Sequence, residues 1–228
     1  LSPVSRLCRI PQGSESIFLV GLLGGYPAGA QAVADCFASG QLRKEDARRM
    51  LGFCSNAGPS FLFGIVASVF SQRSSPWLLW LIHIFSALAV GMLLPGGSNR
   101  SIVLCQRKNV TVPEALTRSV KIMAKVCGWI IIFRVILAFL SRWFLWILPT
   151  HIQVIVFGAM ELTVGCTSLS VIPCEGLRFI LAAAFLGFGG ICITMQTVSV
   201  TEKTGCGMYV PGKLLQCLLS VLLAVAVQ

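Results

Sequence analysis

Seven apolar stretches dominate this sequence, over residues 17–38, 47–71, 77–95, 120–148, 152–174, 177–198 and 213–228. None keeps the period-two alternation of a half-buried strand, and most approach the roughly 20 residues with which a helix crosses a hydrocarbon core. A water-soluble fold could not hide so many of them. Residues of the set AVILMFWYC make up 56% of the 228 and charged residues 11%, against about 45–50% and about 25% in an ordinary globular domain. The chain therefore reads as an all-α, polytopic membrane protein.

The stretches are not equivalent. Segments 77–95 and 120–148 read as uninterrupted spans, with Trp77 and Trp80 at one end and Trp143 and Trp146 at the other, where interfacial aromatics belong. Segment 17–38 holds Gly21, Gly24, Gly25, Pro27 and Gly29, a density that breaks a helix near its middle and predicts a re-entrant hairpin. Segment 47–71 is cut by Asn56-Ala57-Gly58-Pro59 and segment 177–198 by Gly187-Phe188-Gly189-Gly190. Unpaired main-chain groups cost several kcal/mol in lipid, so such cuts persist only inside protein or beside a polar cavity.

The cuts recur in the same order. Residues 1–118 give a hairpin (17–38), a broken helix (47–71), a span (77–95) and a basic loop. Residues 119–228 give a span (120–148), a hairpin (152–174), a broken helix (177–198) and a final span (213–228). Charge fits two inverted repeats. There are 18 Lys and Arg against 8 Asp and Glu, a net +10. If both hairpins return to the side from which they start, one side collects Arg6, Arg9, Arg43, Lys44, Arg48, Arg49, Arg100, Arg107, Lys108, Arg118, Lys121, Lys125, Lys203 and Lys213. The other side collects only Arg73, Arg142 and Arg178. The richer side is expected in the cytoplasm, with the hairpins inserted from opposite faces. Inverted repeats of this kind place a substrate site at the bilayer midplane, between discontinuous helices.

Around the first cut, Asn56, Gly58, Pro59 and Ser60 are the candidate ligand residues. A helix restarting at Pro59 exposes amides suited to a carboxylate, the alternative being a proline kink that Asn56 satisfies. In the second half the candidates are Thr163, Gly165, Gly189, Gly190, Thr194 and Gln196, with interhelical hydrogen bonds as the alternative use of Thr194 and Gln196. Glu161 is a carboxylate inside a membrane segment, which points to proton coupling or to a structural ion pair with Arg134. Tyr26, Pro27 and Gly29 form the expected tip of the first hairpin, and Gly25-x-x-x-Gly29 also has helix-packing spacing. Asp35, Glu45 and Asp46 fall among Arg43, Lys44, Arg48 and Arg49, which reads as a solvated face meeting anionic lipid. The ten Cys contain no Cys-x-x-Cys, and His83 and His151 stand apart in sequence. No cofactor, metal site or disulfide framework is expected, and no enzyme motif. The glycines at 187–190 lack the strand and spacing of a dinucleotide site.

Four motifs carry a family resemblance: GGYPAGA at 24–30, DCFASGQLRKEDARRMLGFCSNAGPSFLFG at 35–64, MELTVG at 160–165 and GFGGICITMQ at 187–196. They resemble the YlbJ family of sporulation integral membrane proteins, also called SpoVV, and more distantly the Gate, or nucleoside-recognition, domains of transporters. The resemblance implies a multi-pass protein of the cell or forespore membrane of an endospore-forming bacterium, moving a small anionic solute, with dipicolinate as cargo. Two alternatives stay open: a non-transporting membrane scaffold for sporulation and a Gate-type domain recognising nucleosides. The partners expected are the solute and the lipid bilayer, not nucleic acid, with a homo-oligomer left open. The sequence opens on Leu1 rather than Met and lacks the membrane segments that precede these motifs in the family, so an N-terminally shortened chain is expected.

Overall fold

The computed structural model describes residues 2–72, 74–96, 111–202 and 204–228, and among them every regular element is a helix. In chain order these are α1 (Ser2–Leu7), α2 (Glu15–Gly24), α3 (Ala28–Ala38), α4 (Lys44–Cys54), α5 (Pro59–Gly64), α6 (Ser74–Leu93) and α7 (Val112–Trp143). There follow α8 (Thr150–Met160), α9 (Leu162–Ser168), α10 (Glu175–Phe188), α11 (Gly190–Val200) and α12 (Tyr209–Val227), with 3-10 turns at Val66–Val69, Leu145–Ile147 and Leu169–Val171. Among the described residues, four stretches are long and apolar enough to cross a membrane: Ser75–Leu93, Val112–Trp143, Glu175–Val200 and Tyr209–Val227.

The interruptions fall where glycine and proline accumulate. α2 and α3 are joined by Gly25, Tyr26 and Pro27 and pack against each other. α4 stops at Cys54, Ser55 and Gly58 turn extended, and α5 restarts with Pro59 in its first turn, where the missing amide is no loss. Gly189 separates α10 from α11 at φ +82°, a left-handed conformation that ends a helix readily only with glycine. The turn between α8 and α9 is a single extended residue, Glu161. Gly165, the spacing counterpart of Gly29, sits inside α9.

Helix starts depart from the apolar boundaries. α7 begins at Val112 rather than 120, because Thr111 and Glu114 form a reciprocal capping box with Pro113 in the first turn. α12 begins at Tyr209, and α4 at Lys44 with Glu45 and Asp46 facing its positive end. Apolar content follows burial, and a polar first turn is still helix.

α12 crosses the centre of the molecule, packed on α10, α6 and α4. It separates two apolar cores, one around Leu62, Leu79, Leu169 and Phe179, the other around Met50, Phe53, Leu22 and Val90. α7 leans on α11 and α8 and buries only Phe133 and Leu137, leaving Ile131, Val135, Phe139 and Trp143 exposed as a lipid-facing stripe would be.

Several charges assigned to loops are inside. Lys213 is 1% exposed within α12, and Arg49 and Asp46 of the expected solvated face are also buried. Arg134 is thus not the sole basic group within a span, and His83 is buried in α6 as well. The charge count assigns Lys213 and Arg49 to loops, whereas they face the core because the helix period turns them inward. Arg100, Arg107, Lys108 and Lys203 of the cytoplasmic count, and Arg73 of the opposite side, lie outside the described residues.

Candidate functional site

The turns and cuts converge. A cleft of about 170 Å³ is walled by Gly25 and Tyr26 from the α2–α3 turn, Gly58 and Ser60 from the first cut, Glu161 and Thr163 from the α8–α9 turn, and Gln196 from α11. Val126 and Ile130 of α7 close the remaining side. The wall thus draws on the α2–α3 turn, the first cut and the α8–α9 turn, with the second cut represented only by α11, the helix that follows it. Of the sequence candidates, Tyr26, Gly58, Ser60, Glu161, Thr163 and Gln196 line it.

Asn56 lies behind the cleft and is fully buried. Its amide donates to the Phe53 carbonyl at 2.8 Å, and its oxygen accepts from Gln216 Nε2 at 3.0 Å. Gln216 in turn accepts from Lys213 Nζ at 2.6 Å, and Lys213 also donates to the Tyr26 hydroxyl at 3.3 Å. The Tyr26 hydroxyl donates to the Leu186 carbonyl at 3.2 Å, just before the second cut. One polar chain therefore links the first cut, α12, the α2–α3 turn and the end of α10. Beside it, His83 Nε2 accepts from the Ala57 amide at 3.1 Å, so the extended backbone of the first cut is answered by a side chain of α6. Ser220 donates to Ser86 at 3.0 Å, tying α12 to α6.

Pro59, Gly189, Gly190 and Thr194 act through the backbone course. The Phe61 and Leu62 amides after Pro59 donate to the Gly58 carbonyl, both at 3.2 Å. Thr194 donates to the Gly190 carbonyl at 3.1 Å. Tyr26 packs over Gly189, while Pro27 and Gly29 begin α3.

Glu161 caps α9. Its two oxygens accept from the Thr163 amide at 2.9 Å and the Val164 amide at 2.8 Å, as a carboxylate at a helix start does. Arg134 Nε lies 3.9 Å from the same carboxylate, whose side chain is 3% exposed against 54% for Arg134. The ion pair is present, and two main-chain donors add to it.

Lys213, Gln216, His83, Ser86 and Ser220 escaped the sequence reading. The available signal was the i, i+3, i+7 spacing of Lys213, Gln216 and Ser220 in α12, a polar stripe along an apolar helix.

The four membrane-capable stretches and the buried polar seam define a multi-pass integral membrane protein. Comparison with known proteins gives the more particular result. The chain is 26% identical, over an alignment of 248 positions, to the sporulation integral membrane protein YlbJ of Bacillus subtilis (strain 168), a match covering 90% of this chain and 61% of that protein. This supports the YlbJ-family resemblance carried by the four motifs. The chain spans about three fifths of the length of that relative. No family model matches the chain, and no solved structure matches it.

Proposed function

We propose that this chain forms the solute pathway of a membrane transporter for a small anionic solute, dipicolinate during spore formation. The supporting observation is the cleft, in which the two hairpin turns, the first cut and the helix that follows the second cut share one wall. Its volume is of the order that takes up a benzene-sized ring. In this reading the two halves are inverted repeats, α2–α3 and α8–α9 are re-entrant, and one half rocks against the other about the cleft. The relative's name places it in sporulation, which is the context in which dipicolinate is the natural cargo.

Accessibility tests the reading. With the native cysteines replaced, Ser60→Cys and Thr163→Cys will react with a small polar thiol reagent added from water. Dipicolinate will protect both, and Phe139→Cys on the exposed apolar face of α7 will stay inert. Inert probes at 60 and 163 would mean that the wall is dry packing, as in a scaffold. Protection by nucleosides instead of dipicolinate would assign the cleft to a Gate-type recognition domain.

A further inference from the structure

Lys213 is a cation without an anion. Its ammonium is buried between α12, α4, α6 and the α2–α3 turn, and among the described residues no carboxylate lies within ion-pair distance of it. Gln216 and Tyr26 satisfy two of its three donors but bring no negative charge. The Tyr26 ring, 5.1 Å from Nζ at its centroid, adds only a quadrupole. A methionine would fill the same space without the desolvation cost of a charge, so packing does not account for a lysine here.

Tyr26 is the shared partition. Its hydroxyl accepts from Lys213, and the same residue is part of the cleft wall. The opposite wall carries Glu161, but that carboxylate already holds two amides and Arg134. With Glu161 offset by Arg134, a protonated Lys213 leaves the site with one positive charge in excess.

We propose that Lys213 is the specificity-determining residue that makes the cleft select carboxylate-bearing solutes, the solute supplying the counter-charge that the protein withholds. The proposal rests on the reading of the cleft as a transport site and adds the group that chooses its cargo. A carboxylate in the cleft is attracted by the ammonium held behind Tyr26 in a medium of low polarity, whereas the corresponding neutral amide gains nothing from it.

The test uses the full-length protein in proteoliposomes loaded to follow dipicolinate uptake, with pyridine-2,6-dicarboxamide as an uncharged competitor of the same shape. Wild-type protein will take up dipicolinate and be inhibited weakly by the diamide. Lys213→Met will raise the dipicolinate KM about tenfold or more and erode the preference for diacid over diamide by a similar factor. Its melting temperature will stay close to wild type, because removal of the buried charge offsets the hydrogen bond lost by Gln216. Lys213→Arg will keep the preference for the diacid. Unchanged KM and preference in Lys213→Met, with wild-type uptake intact, would overturn the proposal and leave the pathway standing. A Lys213→Met protein that no longer accumulates in the membrane, with Lys213→Arg normal, would assign the cation to folding and also overturn it. Absence of uptake by wild-type protein would remove the transport reading itself, and the proposal with it.

Discussion

Gly29→Ala will leave little folded protein in the membrane, and what is recovered will melt well below wild type. Gly29 on α3 and Gly21 on α2 face each other, and the Cys54 carbonyl at the end of α4 lies against both. A methyl group on Gly29 would overlap that carbonyl oxygen and come within 2.8 Å of the Gly21 Cα. Every atom it meets is main chain, so no rotamer change relieves the clash. Overpacking of this kind costs about 1–3 kcal/mol when side chains can move, and here the upper end applies. Relief would push α4 away from the α2–α3 pair and shift the first cut, with its Asn56 and Ala57 hydrogen bonds. Gly128→Ala is the contrast, since its added methyl meets nothing within 4 Å and replaces a helix-interior glycine, a gain of up to about 1 kcal/mol. Thermal unfolding of the detergent-solubilised proteins, followed by Trp fluorescence, separates the two. A Gly29→Ala protein that melts with wild type would show that α2, α3 and the end of α4 are not in this contact.

Arg49→Met will have an effect of comparable size for a different reason. The buried guanidinium donates to the carbonyls of Cys8 at 2.8 Å, Arg9 at 3.4 Å, Leu94 at 3.2 Å and Gly91. Gly91 lies in the last turn of α6 and Leu94 directly follows it, where carbonyls have no intrahelical partner, so a positive fork there meets both the orphan acceptors and the negative end of the helix. The same fork ties the segment after α1 to α4 and α6. Methionine keeps the bulk, including contact with Phe53, but leaves the carbonyls buried and unpaired. Each carbonyl left buried and unpaired costs about 1–3 kcal/mol. Arg49→Lys will restore little, because one ammonium cannot span acceptors that a planar five-donor group reaches. Steady-state membrane levels and melting temperature read both variants. Wild-type values for Arg49→Met would show that these carbonyls find water or other partners and that Arg49 is not the fastening.

The cuts at 55–58 and 189 were legible because glycine and proline inside an apolar run admit few conformational explanations. The turn at 25–27 was legible on the same ground. Helix starts at Lys44, Val112 and Tyr209 were not, since the first turn of each carries polar, aromatic or cap residues outside the apolar pattern. Glu161 stood out as a costly carboxylate, and the ion pair with Arg134 was among its two readings. Its bonds to the Thr163 and Val164 amides depend on a turn of one residue that no glycine or proline marks. The polar seam was hidden for a more general reason. Asn56, Gln216, Lys213 and Tyr26 come from positions up to 190 residues apart in number, and only the crossing of α12 through the centre brings them together. A sequence shows that a helix has a polar stripe, but not what the stripe faces.

The most direct measurement is the dipicolinate content of spores formed by the host organism with the full gene intact, deleted, or carrying Ser60→Trp. Tryptophan at 60 fills the cleft from its exposed rim and leaves the buried seam untouched. The account predicts dipicolinate-poor spores from the deletion and from Ser60→Trp, with the variant protein present in the membrane at normal level. Normal dipicolinate in both strains would contradict a solute pathway through this cleft.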